Sequence, residues 1–334
     1  MLFISKLSYF CYFPSSVKHF KSPLVAFQCT SARLEHPNPW YSRRGKMMPK
    51  QGDGVQRPGL QVVHKSPNFL CVDKMYDLKI NSDDPTDMTV EHQARAMFPE
   101  LVDPKCSHGF RFVHRLDYAT SGILCLGLTK NAAKHLSKLF HNKQVIKYYL
   151  ALVRGHIVDE AVLIDVPIGR LDDAEWAGRM CAADHDKCDV PRPTATLLVC
   201  LERGMYGDKP ATKVLLKPIT GRQHQLRVHC DYIGHTIVGD YTYSLRQDKT
   251  PHRMMLHSHR LVADMKIENL DLRTSDPFTT DLIDEWKPSE ICRSYEEAES
   301  IAKGFEMGNM DSISGMDKFR LVRIKLSESQ GEER

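Results

Sequence analysis

"FVHRLDYATSGILCLGLTK" occupies residues 112–130. An apolar run breaks at Arg115-Leu116-Asp117, turns through Thr120-Ser121-Gly122 and resumes as the apolar Ile123–Leu128. Arg and Asp are almost never fully buried without partners, so the segment reads as two strands meeting at a polar loop. Upstream, "LQVVHKSPNFLCVDK" (60–74) reads as two short strands around the turn signal Ser66-Pro67-Asn68. "TVEHQARAMFP" (89–99) reads as a helix capped by Thr89 and closed by Pro99.

Downstream, "NAAKHLSKLFHN" (131–142) has Ala132, Leu136, Leu139 and Phe140 at helical spacing, with Lys134, Lys138 and Lys143 facing away. "VIKYYLALVRG" (145–155), "ATLLVCLE" (195–202) and "TKVLLKP" (212–218) have strand character. "TGRQHQLRVHCDYIG" (220–234) is a turn leading into a helix, with Arg222 at its start. Strands that do not alternate regularly with helices indicate an α+β chain with a mixed, mainly antiparallel sheet and flanking helices, not a doubly wound fold. The core is expected to finish near Asp276-Pro277, leaving "SYEEAESIAKGF" (294–305) as a peripheral helix and "SESQGEER" (327–334) as a disordered tail. The chain thus divides into an extension (1–59), a main domain (60–285) and a C-terminal helix and tail (286–334).

The net charge of +4 over 334 residues is mild but unevenly spread. Residues 101–150 carry eight Lys/Arg against two acids, and residues 211–260 carry eight against three with six His added. Two basic blocks suit a polyanion such as nucleic acid, although solvated faces would look the same. The ten Cys lie singly, several in apolar strands, as in a reducing compartment. Cys181, His185 and Cys188 form a partial ligand set without a fourth member nearby, so no metal is expected. No stretch is long and apolar enough to span a bilayer. Residues 1–50 hold eight Lys/Arg, seven Ser and a single acid, Glu35. That composition resembles a mitochondrial transit peptide; the alternative is an ill-ordered extension with a later start at Met47-Met48. Cytoplasmic residence is the expectation, and mitochondrial the alternative.

Two segments add chemistry to the opening one. His114-Arg115-Leu116-Asp117 is not a kinase catalytic loop, because Leu116 intervenes and no glycine-rich loop accompanies it. Taken with Arg222, Asp117 offers a carboxylate beside a guanidinium, kept ionised and aimed, able to act as nucleophile or base. A salt bridge that merely tethers the helix would use the same pair. In "IKYYLALV", Tyr148 and Tyr149 face opposite sides of a strand, so one alone can enter a site.

"HRLDYATSG", "KYYLALVRG" and "KPITGRQHQLRVH…GHTIVGDYTY" resemble, in order and spacing, the signature segments of the RluA- and RsuA-type pseudouridine synthases. The resemblance covers roughly Leu60 to Pro277. It implies a pseudouridine synthase fold, an eight-stranded mixed sheet with a central RNA-binding cleft, and isomerisation of uridine in RNA to pseudouridine. It also implies Asp117 as the essential carboxylate, Tyr149 as the ring stacking on the target base, Arg222 as the partner of the Asp, and Leu226 as an apolar residue near the site. No metal and no organic cofactor are implied. The expected partner is RNA, without a membrane, and the chain is expected to be a monomer. From charge, Lys134 and Lys138 are expected to follow phosphates, and Arg115 to contact phosphate or site, or to serve a structural ion pair. Asp73 and Met75 stand where the family has Asn and Pro, and Ser244 where it has Gly. A catalytically silent RNA-binding protein is the alternative function; a metal-dependent hydrolase is disfavoured by the ligand set.

Overall fold

In "LQVVHKSPNFLCVDK" the two apolar runs pair antiparallel as β1 (Gln61–Lys65) and β2 (Phe69–Lys74). The turn closes because the Ser66 hydroxyl accepts from the backbone of Asn68 and Phe69, while Glu268 gathers the side chains of His64, Ser66 and Asn68. The computed structural model describes residues 59–305 and 318–324; the N-terminal stretch read as a leader or late start, and the tail 327–334, lie outside the described residues.

The helix α1 (Val90–Met97) is capped by Thr89, as its sequence predicts, and precedes β3 (Arg111–Phe112) and β4 (Ser121–Gly127). Then come α2 (Lys130–His141) and β5 (Ile146–Arg154). β6 (Ala161–Asp165) leads into a small separate sheet of β7 (Ile168–Leu171), β8 (Met180–Ala182) and β9 (Cys188–Arg192). The long hairpin β10 (Ala195–Tyr206) and β11 (Lys209–Pro218) follows, then α3 (Gln225–Tyr232), β12 (Leu256–Ala263) and β13 (Leu270–Arg273). β14 (Trp286–Ile291), α4 (Tyr295–Gly304) and β15 (Phe319–Arg323) complete the described chain.

The main sheet runs β1-β2-β4-β12-β5-β11-β10-β6-β15, with β3, β13 and β14 added at its margins. Among the described residues its strands number twelve, more than the eight implied by the resemblance. All pairings are antiparallel except β4 with β12 and β6 with β15, so the sheet is mixed and mainly antiparallel, as expected. β4 can approach β12 only because residue 122 is Gly: its φ is +111°, and a Cβ there would lie 2.3 Å from the Ser258 carbonyl oxygen.

β5 sits in the middle and shows the alternation expected of a buried strand. Tyr148, Leu150 and Leu152 enter one core face with Trp286, Phe278 and Phe305, whereas Ala151 and Val153 enter the other with Leu226 and Val228. The core therefore does not finish at Pro277. Ala298 and Ala302 let α4 lie close on the sheet, and the Lys217 ammonium caps its last turn by donating to the carbonyls of Ala302 and Phe305. The helix read as peripheral is part of the core, its small buried face masked in the sequence by Glu and Ser. Cys181 and Cys188 fall on β8 and β9, and among the described residues no three His, Cys, Asp or Glu side chains come together as a metal site. Nor, among those residues, is any helix long and apolar enough to cross a membrane.

Candidate active site

The β3–β4 loop places Asp117 at the start of a turn in which the Thr120 amide donates to the Asp117 carbonyl at 3.1 Å. Its base is fixed from β2. Lys74 is fully buried, and its ammonium donates to the carbonyls of Met75 and Leu78 at 2.8 Å and of Tyr118 at 3.0 Å. Three carbonyl acceptors offset the loss of water around that charge, though burial still pulls its pKa down to about 7. One lysine thus ties the β2–α1 connection to the residue after Asp117.

The guanidinium that reaches Asp117 belongs to Arg227, on α3, whose Nη1 lies 3.5 Å from Asp117 Oδ2. Arg227 is buried, and it grips the fully buried Asp240 with two bonds, Nε to Oδ2 at 2.7 Å and Nη2 to Oδ1 at 2.8 Å. Asp240 Oδ1 also accepts from the amides of Thr242 and Tyr243, both at 3.1 Å. Burial works against the Arg227 charge, but Asp240 and Asp117 outweigh it, and the pKa is raised. Asp240 holds the arginine in a fixed, bidentate geometry, and the arginine's remaining donor faces Asp117.

Arg222 is not that partner. It is exposed, and its backbone amide donates to Gln225 Oε1 at 3.1 Å. The Gln225 side chain also accepts from the Thr220 hydroxyl and donates to Ala195 O and Thr196 Oγ1, which locks the turn with Arg222 outside it. The chain then passes through His224 in the left-handed region, φ 54°, before α3 begins. The helix starts three residues later than "TGRQ" suggests, so the arginine facing inward is the second one. The signal was an Arg between two apolar residues, Leu226 and Val228, with Asp240 the sole carboxylate in "IGHTIVGDYTYS".

Tyr149 lies on β5, half-buried where two core clusters meet, opposite Ser258 of β12. Burial pushes its phenol up to about 12; the Ser258 hydroxyl acts in the other direction, and the Asp117 charge adds to the rise. The structure therefore brings Asp117, Tyr149 and Arg227 together. His224 joins them, its Nε2 3.8 Å from Asp117 Oδ2 and its Nδ1 3.2 Å from the Tyr243 hydroxyl. Burial holds that imidazole below its ordinary pKa, against the opposing pull of the Asp117 charge. Leu226 is buried in the core face behind α3. Arg115 is exposed on the same loop as Asp117, and Lys134 and Lys138 are exposed on the outer face of α2, away from any contact with Asp117.

A cavity opens beside β2, lined by Asp73, Tyr76, Ser121, Arg253 and His257 among others. Burial raises Asp73 to about 6 although Arg253 and the Gly122 amide pull it down. The folded state thus holds this proton more tightly than an open chain, so stability falls as pH rises from about 4 through 6. Asp73→Asn is expected to flatten that decline and to stabilise the protein at pH 7 by about 1 kcal/mol, partial exposure having been allowed for. Thermal melts of both proteins at pH 4.5 and 7 measure the change.

Residues 61–232 match the family described as RNA pseudouridylate synthase. The chain is similar to RNA pseudouridylate synthase domain-containing protein 1 of Danio rerio, 44% identical over 230 residues that span 69% of this chain and 78% of that one. It is also similar to tRNA pseudouridine synthase C of Salmonella typhi, 37% identical over 60% of this chain and 79% of that one. Among solved structures, human RNA pseudouridylate synthase domain containing 1 superposes with a TM-score of 0.67 at 40% identity, over 75% of this chain and 98% of that one.

Proposed function

The chain belongs to the RNA pseudouridylate synthase family, and from that premise we propose that Asp117 converts specific uridines of an RNA strand to pseudouridine in the site it shares with Tyr149 and Arg227. The observation that carries this is the carboxylate aimed by an arginine that Asp240 holds rigid. The reaction breaks the N1–C1′ bond, turns the base and forms a C5–C1′ bond; the C5 proton leaves and N1 gains one, so no cofactor is consumed. Asp117 acts on the ribose. Tyr149 holds the freed base by stacking while it turns, and a target within a helix must first be flipped out of its stack. The exposed Arg115, Lys134 and Lys138 follow the phosphates.

Loss of the C5 proton gives a direct assay. Unmodified RNA carrying tritium at uracil C5 is expected to release it to water with the purified chain. Retention of all tritium by RNA that the chain nonetheless binds would favour a silent binding protein. The ring and hydroxyl of Tyr149 separate in the same assay. Tyr149→Phe is expected to keep KM within about threefold, and Tyr149→Ala to raise it by about tenfold or more, since stacking contributes about 1–3 kcal/mol per base.

A further inference from the structure

Arg227 is one end of a chain of cation–ring contacts that leads away from Asp117. Arg227 and Arg179 each lie over the Tyr243 ring, both 5.0 Å from its centroid. Arg179 also lies 5.3 Å from the Trp176 centroid, and Arg246 lies 4.5 Å from it. Trp176 and Arg179 come from the β7–β8 connection, and Arg246 from the turn after Asp240. With Tyr241, Thr242 and His224 they line a cavity of about 220 Å³. His224 is shared: it borders this cavity and also faces Asp117.

We infer that this cavity is a subsite for the nucleotide neighbouring the target uridine in the RNA strand, with Trp176 and Tyr241 against its base and Arg246 on its phosphate. The inference rests on Asp117 marking the place of the target uridine. Flat rings interleaved with guanidiniums suit a ligand that is itself a ring joined to a phosphate. The volume is below the roughly 300–1,000 Å³ of ordinary small-molecule pockets, which fits one nucleotide of a longer strand. Arg227 is held by Asp240, and Arg179 faces Asp231 at 3.9 Å and the two rings, but the acidic contact of Arg246 is a 3.5 Å one with the largely exposed Glu175, which leaves Arg246 as the cation able to meet a phosphate.

Tryptophan fluorescence of the full chain reads this site directly. Of the three tryptophans, Trp40, Trp176 and Trp286, the last is buried in the core. Pentauridylate is expected to quench the emission, uridine monophosphate to quench it far less, and Trp176→Phe to abolish the quench. Arg246→Ala is expected to weaken pentauridylate binding about tenfold and to reduce its salt dependence by about one counterion, with an unchanged circular dichroism melt. Unaltered fluorescence with pentauridylate, an equal quench in Trp176→Phe, or wild-type affinity in Arg246→Ala would overturn the subsite. Binding is read without turnover, so failure of the tritium assay would sink the isomerase reading and leave this result standing.

Discussion

Asp117→Asn is expected to fold as the wild type does and to lower the rate of tritium release on the order of 10⁴-fold. The two halves of this expectation have separate causes. Asp117 is linked to the fold by side-chain contacts of 3.5 and 3.8 Å, so removing its charge gives up little packing. The loop around it is held by Lys74 and backbone bonds that the substitution leaves in place. Arg227, in turn, keeps its bidentate grip on Asp240 and is not left unpaired. Asparagine has the carboxylate's shape without its charge, so it cannot attack a sugar carbon or accept its proton. A melting temperature within about two degrees of wild type, beside a rate near background, is the combined result to be measured.

Arg227→Met is expected to damage both stability and activity. It strands Asp240, which is fully buried, with two backbone amides in place of a cation. Breaking a buried pair from one side costs about 3–5 kcal/mol, because the remaining charge keeps its desolvation penalty. Pairing it with Asp240→Asn should recover much of that stability and none of the activity, since Asp117 still lacks its guanidinium. Arg222→Ala, by contrast, removes an exposed side chain and is expected to shift stability by no more than about 0.5 kcal/mol. Urea unfolding of the three variants, with tritium release measured alongside, separates the two arginines.

The local features of this chain are legible in its sequence. The turn at Ser66-Pro67-Asn68, the Thr89 cap and the amphipathic α2 are decided by residues within a few positions of each other. The polar interruption at Arg115-Leu116-Asp117 marked the loop that carries the candidate carboxylate, and the alternation of β5 meant that Tyr148 and Tyr149 had to part company. What could not be read depends on a single dihedral or on distant pairing. His224 in the left-handed region delays α3 and turns Arg227, not Arg222, toward Asp117. Asp240 gains its role from an arginine thirteen positions earlier, and although Tyr295, Ala298, Ala302 and Phe305 stand at helical spacing, the strands on which α4 and β15 pack lie far back in the chain.

The most direct test of the central claim is pseudouridine mapping across total RNA from cells lacking this protein, restored with wild type or with Asp117→Asn. At least one uridine should be modified only with the wild-type chain and stay unmodified with Asp117→Asn at equal protein level. If the two chains restore identical maps, or if neither restores any site, Asp117 is not the group that isomerises uridine.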